Sequence, residues 1–174
     1  ITKIMFASLG EFVKKFWLER GPFKRVLEVG SRNINGSVKD FISSDYQEYI
    51  GIDLIAGPNV DIVMNAHDLL KKFEPKSFDC IICCETLEHD INFWITVENM
   101  KKLLKPRGWM VVTAPGINFF KHDYPFDYYR FTEDAFRQFI FKGFSKVLVE
   151  TYTAWHPDFH KNIDNIFAYG RLPK

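Results

Sequence analysis

An apolar run that ends directly in a glycine-containing loop is the feature that most constrains the fold of this chain. Residues 26–37 read Val-Leu-Glu-Val-Gly-Ser-Arg-Asn-Ile-Asn-Gly-Ser, which fits a buried strand followed by a loop that can approach a ligand closely. Glu28 stands two residues before Gly30, and its carboxylate would repel a phosphate but suit a cationic ligand. The segment therefore predicts a strand that ends at a ligand site.

Apolar runs alternate with stretches of helical spacing along most of the chain. The runs that predict strands are residues 25–30, 48–53, 61–64, 78–84 and 109–113. The stretches with helical spacing are residues 4–19, 37–42, 91–104 and 132–141. Such alternation indicates an α/β fold, a parallel sheet with helices on both faces. Two further strands, at residues 144–153 and 166–171, have no helix between them and predict an antiparallel hairpin at one edge.

Length, charge and cysteine content narrow the classes of function. With 174 residues, we expect a single domain over residues 1–174. A formal net charge of +1 disfavours a nucleic-acid partner. Cys80, Cys83 and Cys84 fall in one apolar run, which suits neither a disulfide framework nor a zinc site, so we expect no metal and a reducing, cytoplasmic setting. No run approaches the ~18 apolar residues of a membrane span, and we expect none.

The ends of the predicted strands are unusually polar. Asp53 ends the second strand, 23 residues after Gly30, where a carboxylate can accept hydrogen bonds from both hydroxyls of a ribose. The loop after Gly30 lacks both the close glycine spacing that holds a pyrophosphate and a Lys-Ser/Thr pair. A nicotinamide oxidoreductase is therefore disfavoured, whereas another cofactor that contains adenosine fits.

These segments together resemble the class I S-adenosylmethionine-dependent methyltransferases, and the likeness covers nearly the whole chain. The motifs that carry it lie in family order at residues 26–31, 49–54, 65–69, 78–89 and 103–109. The resemblance implies S-adenosylmethionine as cofactor and a Rossmann-like, doubly wound, seven-stranded sheet, mostly parallel with the last strand antiparallel. The sequence departs from the family pattern at two places. Ser31 follows Gly30 where a second glycine is frequent, and Asn65 stands where the third strand usually ends in Asp.

The same resemblance implies which residues hold the cofactor. Glu28, Gly30 and Ser31 would take the methionine end, Asp53 the ribose, and Leu54 would lie against the adenine. The other implied contacts follow the third and fourth strands and are Asn65, Ala66, His67, Cys84 and Glu85.

The long segment after the fifth strand, residues 115–130, is too rich in rings and ionisable groups to be a simple connection. It is similar to a submotif, His-x-x-Pro-x-Asp-x-x-Arg-Phe/Tyr-Thr, found in a subset of these enzymes. We expect it to form the acceptor wall, and the expected substrate-binding residues are Phe119, Tyr124, Asp127, Tyr128 and Arg130. The alternative is that Asp127 and Arg130 form an internal ion pair.

A base is needed only when the methyl acceptor has a proton to lose. His122 and His89 are the candidates, because imidazole titrates near neutral pH; packing is the alternative for both. We expect methyl transfer to a small-molecule or saccharide-like acceptor. A cofactor-binding domain without catalysis that serves in assembly or regulation is the alternative, and the sequence sets neither the acceptor nor the oligomeric state.

Overall fold

One sheet of seven strands organises the protein, in a computed structural model that describes residues 3–122 and 125–174. The strands are β1 Arg25–Val29, β2 Glu48–Asp53, β3 Ile62–Val63, β4 Phe78–Cys84, β5 Leu104–Pro115, β6 Ser145–His156 and β7 Lys161–Arg171. Their order across the sheet is β3-β2-β1-β4-β5-β7-β6. The first five strands are parallel, and β7 is antiparallel to both of its neighbours. The expected fold is therefore confirmed.

The two longest helices coincide with the predicted helical segments at residues 4–19 and 91–104. The α-helices are α1 Lys3–Arg20, α2 Leu69–Lys72, α3 Phe93–Leu103 and α4 Glu133–Ala135. Single 3-10 turns lie at Val38–Phe41, Ala66–Asp68 and Leu87–His89, and a π-helical turn, Phe136–Ile140, continues α4. Within the described part of the chain, no helix has the length and apolar character needed to cross a membrane.

Side chains of the central strand β4 alternate between two hydrophobic clusters. Ile82 packs with Val13 of α1 on one face, and Ile81 packs with Met100 of α3 on the other. Because consecutive side chains of a strand point to opposite faces, a strand that is apolar throughout must be covered on both sides. Each fully buried aliphatic side chain of this kind contributes about 1.5–3 kcal/mol to folding. The sheet is thereby held rigid between two helical layers.

The predicted limits of several elements differ from the observed ones. The spacing at residues 37–42 gives only a 3-10 turn, since Ser37 Oγ accepts a hydrogen bond from Lys39 N and the segment is too short for a stable α-helix. Strand β7 begins at Lys161, five residues before its predicted start. Its first residues are polar and pair with β6 through the main chain, and main-chain pairing needs no apolar alternation.

Candidate active site

A cavity of about 740 Å³ opens at the carboxyl ends of β1, β2, β3 and β4. The strand order changes direction at β1, because β2 and β3 lie on one side of it and β4 and β5 on the other. Ligands bind at such a switch point in open α/β sheets. The volume of the cavity lies within the usual range for small-molecule and cofactor sites. Apolar side chains that are largely exposed, among them Leu54 and Phe126, stand at its wall.

The turn after β1 requires glycine at residue 30. Gly30 has a φ of +78°, and a Cβ placed on it would lie 2.0 Å from Thr86 Oγ1. The amides of Gly30 and Ser31 both donate to the carbonyl of Ile52, at 2.9 and 3.0 Å. The main chain of this loop is thus fixed to β2, and no side chain intervenes between it and the cavity at Gly30.

A buried carboxylate lies below that turn. Tyr49 Oη donates to Glu28 Oε2 at 2.7 Å, and Glu28 also lines the cavity. Burial raises the pKa of Glu28 to about 7, and the Tyr49 hydrogen bond and the charge of Lys39 offset that effect only in part. The cavity wall therefore holds a carboxyl group that a bound cation would shift toward its ionised form.

The carboxylate of Asp53 is oriented by main-chain amides. Its Oδ2 accepts from Arg32 N at 3.3 Å and its Oδ1 from Ile55 N at 3.1 Å. These bonds hold both oxygens at the cavity wall, and each carboxylate oxygen retains a second lone pair for a ligand. The geometry suits recognition of two neighbouring hydroxyl groups.

A network around Asp90 positions the segment after β3. Asp90 Oδ1 pairs with His67 Nε2 at 2.8 Å, and Asp90 Oδ2 accepts from Thr96 Oγ1 at 2.6 Å. Asn99 Nδ2 donates to the carbonyls of Ala66 and His67, at 3.1 and 2.9 Å. This network closes one side of the cavity, and its polar members Asp90, Thr96 and Asn99 were not predicted. Thr96 and Asn99 lie on α3 and Asp90 just before it, so their approach to the segment after β3 cannot be inferred from spacing.

Two carboxylates and two imidazoles meet on the other side of the cavity. Glu88 is fully buried, and its Oε1 lies 3.6 Å from His89 Nε2 and 3.6 Å from His122 Nε2. Glu85, at a φ of +48°, accepts from Thr113 Oγ1 at 2.7 Å. Burial raises the pKa of both glutamates. The charge of Glu88 raises the pKa of Glu85 further, whereas for Glu88 the charge of Asp127 adds to the effect of burial and that of His89 opposes it. Burial lowers the pKa of His122, and the charge of Asp127 offsets this in part.

The loop that carries His122 is held by an internal ion pair. Arg130 binds Asp127 through two nitrogens, at 2.5 and 2.6 Å, and also donates to the carbonyls of Phe119 and Phe120. Although burial opposes it, hydrogen bonds from Arg130 and the His122 amide lower the pKa of Asp127 to about 2. The alternative of a structural role for Asp127 and Arg130 thus has direct support.

The predicted site residues divide into three groups. Those that line the cavity are Glu28, Gly30, Ser31, Asp53, Leu54, Asn65, Ala66, His67, Cys84, Glu85, His89, His122 and Tyr128. Phe119 instead packs in the core against Phe120, and Asp127 and Arg130 bind each other inside the loop, so none of these three forms the cavity wall. Tyr124 lies outside the described residues. Glu88 was missed, although its position in Glu85-x-x-Glu88-His89 is a signal that an acid stands in an apolar neighbourhood.

Comparisons with known proteins agree with this architecture. A family model described as "Methyltransferase domain" matches residues 1–164. No curated protein sequence matches the chain.

Three solved structures illustrate the likeness in fold. Phosphoethanolamine N-methyltransferase 2 from Haemonchus contortus, in complex with phosphomonomethylethanolamine and S-adenosylhomocysteine, is 18% identical with a TM-score of 0.66 over 92% of this chain, which spans about half, 52%, of that protein. A Burkholderia thailandensis 1,6-didemethyltoxoflavin-N1-methyltransferase is 12% identical with a TM-score of 0.69, and the match covers 97% of this chain and 79% of that one. The N-methyltransferase NodS from Bradyrhizobium japonicum is 15% identical with a TM-score of 0.63, with coverage of 97% and 87%. At these identities the likeness concerns the fold.

Proposed function

The chain belongs to the methyltransferase domain family, and on that premise we propose that it transfers a methyl group from S-adenosylmethionine to a small-molecule acceptor. The single observation that carries the proposal is the placement of Glu28 and Asp53 on one cavity wall at the ends of adjacent strands. A carboxylate in each position suits a ligand with a cationic end and a ribose. The three solved relatives described above bind S-adenosylhomocysteine or are methyltransferases by name.

The residues present fit that cofactor. Glu28 would hold the amino group of the methionine end, and the Gly30 turn, which has no room for a Cβ, would let the main chain approach it. Asp53 would accept from the ribose hydroxyls, and Leu54 would lie against the adenine. Asn65 uses its Oδ1 to accept from His67 N, so its Nδ2 is the group that can donate to the adenine edge.

When bound, the cofactor supplies an electrophilic methyl group on a sulfonium, and transfer forms a bond from the acceptor atom to the methyl carbon while the C–S electron pair stays on sulfur. A hydroxyl or amine acceptor loses a proton in that step. His89 and His122 lie at the cavity wall with their Nε2 atoms near Glu88. We assign the disposal of this proton to these two imidazoles. Tyr128 and Phe126 of the same loop would shield the acceptor from water.

Calorimetric titration should show binding of S-adenosylmethionine and S-adenosylhomocysteine, and none of NAD. The Asp53→Ala variant is expected to weaken cofactor binding by roughly 1.5–3 kcal/mol, because it removes hydrogen bonds to a charged group. Asp158→Ala, at an exposed turn position, is the matched control and should bind like the wild type. Binding of NAD without a response to either sulfur nucleoside would overturn the proposal.

Cofactor affinity should fall as the pH drops below about 7, approaching tenfold per pH unit. Glu28 has a pKa of about 7; below it the group is protonated, and a cation can bind only by displacing that proton. Titrations between about pH 5.5 and pH 7 measure the slope. Glu28→Gln should bind weakly with no slope in this range, and a slope that persists in Glu28→Gln would assign the titration to another group.

The acceptor class can be tested directly. Incubation with radiolabelled cofactor and separate pools of small metabolites, saccharides and nucleic acids should label the small-molecule or saccharide pool. Label that appears only in nucleic acid would contradict this assignment. Cofactor binding without label in any pool would support the alternative of a domain without catalysis.

A further inference from the structure

Two histidines at the cavity wall direct their Nε2 atoms toward the same carboxyl group. His89 Nδ1 lies 2.5 Å from the carbonyl oxygen of Phe126, and a carbonyl can only accept, so the proton of a neutral His89 sits on Nδ1. His122 Nδ1 lies 3.4 Å from the carbonyl of Phe120 and 3.5 Å from Asp127 Oδ2, which again places the proton on Nδ1. Both Nε2 lone pairs therefore face Glu88.

Glu88 is a buried carboxyl group that lies beside both histidines. Neither of its carboxylate oxygens has a hydrogen-bond partner in the described part of the chain, and its side chain is 0% exposed. Glu85 Oε2 is likewise buried without a partner among the described residues. Arg130 forms an ion pair with Asp127, so the charges of Arg130 and Asp127 cancel. What remains is the buried carboxyl group of Glu88, without a hydrogen-bond partner among the described residues and with two histidine nitrogens beside it. Such a group is costly to bury unless a proton or a cation lies between these atoms.

From this geometry we propose that Glu88, His89 and His122 bind a divalent first-row transition-metal ion beside the cofactor cavity. One ligand atom of each of the three residues lies within 4.8 Å of the others. Ligand atoms placed about 2.1 Å from a tetrahedral ion lie roughly 3.4 Å apart, close to the 3.6 Å that separates Glu88 Oε1 from each Nε2. Two imidazoles and one carboxylate favour an ion such as Zn²⁺ or Mn²⁺ over Ca²⁺.

The surroundings of the three ligands support the same assignment. Metal-binding histidines almost always donate their second nitrogen to a carbonyl or carboxylate, which fixes the ring. His89 has such a contact to Phe126, and His122 has weaker ones to Phe120 and Asp127. His89 and His122 line the cavity, so an ion that they hold would be within reach of an acceptor in it.

The inference deepens the proposed function and rests on it only for the role of the ion. A cation at this place would lower the pKa of an acceptor hydroxyl that approaches it. His89 and His122 would then hold the cation in place of the direct role in proton disposal assigned to them above. The acceptor hydroxyl would release its proton to the water that reaches the open cavity before the methyl group is transferred. The rate of methyl transfer should increase most for acceptors that have an oxygen on or beside the methylated position.

Metal binding can be measured without any acceptor. Untagged protein stripped with a chelator should take up one equivalent of Zn²⁺ or Mn²⁺ by calorimetry and elemental analysis, and Co²⁺ should give a visible absorption band. Glu88→Gln and His122→Ala should each weaken binding at least about 100-fold. His160→Asn, at the exposed β6–β7 turn, is the matched control and should bind like the wild type.

Three results would overturn the proposal. The first is that folded wild-type protein takes up none of Zn²⁺, Mn²⁺ and Co²⁺. The second is that uptake is unchanged in both Glu88→Gln and His122→Ala, and the third is that His160→Asn loses it. Circular dichroism of each variant shows whether it folds. If Glu88→Gln does not fold, His122→Ala, which changes a loop residue, still tests the proposal. Titration with S-adenosylmethionine in chelator separates the two proposals. Cofactor binding without metal uptake refutes this inference alone, and absent cofactor binding refutes the proposed function.

Discussion

Replacing His122 with alanine is expected to lower methyl-transfer turnover by ~10²-fold or more, the usual scale for loss of a group that handles a proton. The affinity for S-adenosylmethionine should not change, because the groups assigned to the cofactor, Glu28 and Asp53, are held by their own partners. Single-turnover rates with the acceptor found by the labelling screen, and calorimetry with the cofactor, measure the two quantities.

The same variant also discriminates between two roles of His122. If the imidazole acts through a bound cation, wild-type turnover should fall by a similar factor in chelator and recover with Zn²⁺ or Mn²⁺, and His122→Ala should respond little to either. His160→Asn serves again as the control. Full turnover in His122→Ala would return this residue to a packing role, beside Phe119.

The Gly30→Ala variant should lose about 2–5 kcal/mol of the free energy of unfolding. A residue with a side chain at a left-handed φ costs roughly 1–2 kcal/mol, and overpacking costs typically 1–3 kcal/mol more. The added Cβ would lie 2.0 Å from Thr86 Oγ1, and Thr86 is fixed by its hydrogen bond to the carbonyl of Cys84. Denaturant unfolding monitored by circular dichroism measures the loss.

Gly143 provides a matched control for this prediction. Its φ of +86° is nearly the same, but a Cβ there would meet nothing within 4 Å. Gly143→Ala should therefore cost only the backbone term, about 1–2 kcal/mol. Equal losses in the two variants would show that the Gly30 loop moves away from Thr86 at little cost, and the close approach of these segments would then not define the cavity.

The parts of the fold that depend on local pattern could be predicted from the sequence. Strand β1 and the Gly30 turn follow from an apolar run that stops at a residue without a Cβ, and β4 follows from seven residues that are nearly all apolar. The hairpin of β6 and β7 follows from two apolar runs with no helix between them, and the family resemblance, which the family match confirms, implied the same antiparallel last strand. Thr132 precedes α4 and is a residue type typical of helix N-caps, and its Oγ1 accepts a hydrogen bond from Ala135 N at 3.1 Å.

The parts of the site that depend on distant segments could not be predicted. Glu88 and His89 are adjacent in sequence, but His122 comes from a loop beyond β5, and no spacing rule sets its distance from Glu88. The Asp90 network likewise needs α3 to dock before Thr96 and Asn99 reach it. Phe119 looked like an acceptor contact because it lies in an aromatic loop, yet the loop turns its ring into the core. The composition of a loop shows that it is unusual, but it does not determine which way each side chain in the loop faces.

The place of β7 between β5 and β6 has a consequence for biosynthesis. The strand inside the sheet is the last one along the described chain to leave the ribosome, so β5 stays an open edge until residues 161–171 emerge. Residues 109–115 of β5 are buried in the finished sheet, and an unpaired apolar edge is prone to pair with another chain. Any pause in translation before β7 is complete should expose this edge, and nascent chains stalled there are expected to recruit holding chaperones more than chains released at full length.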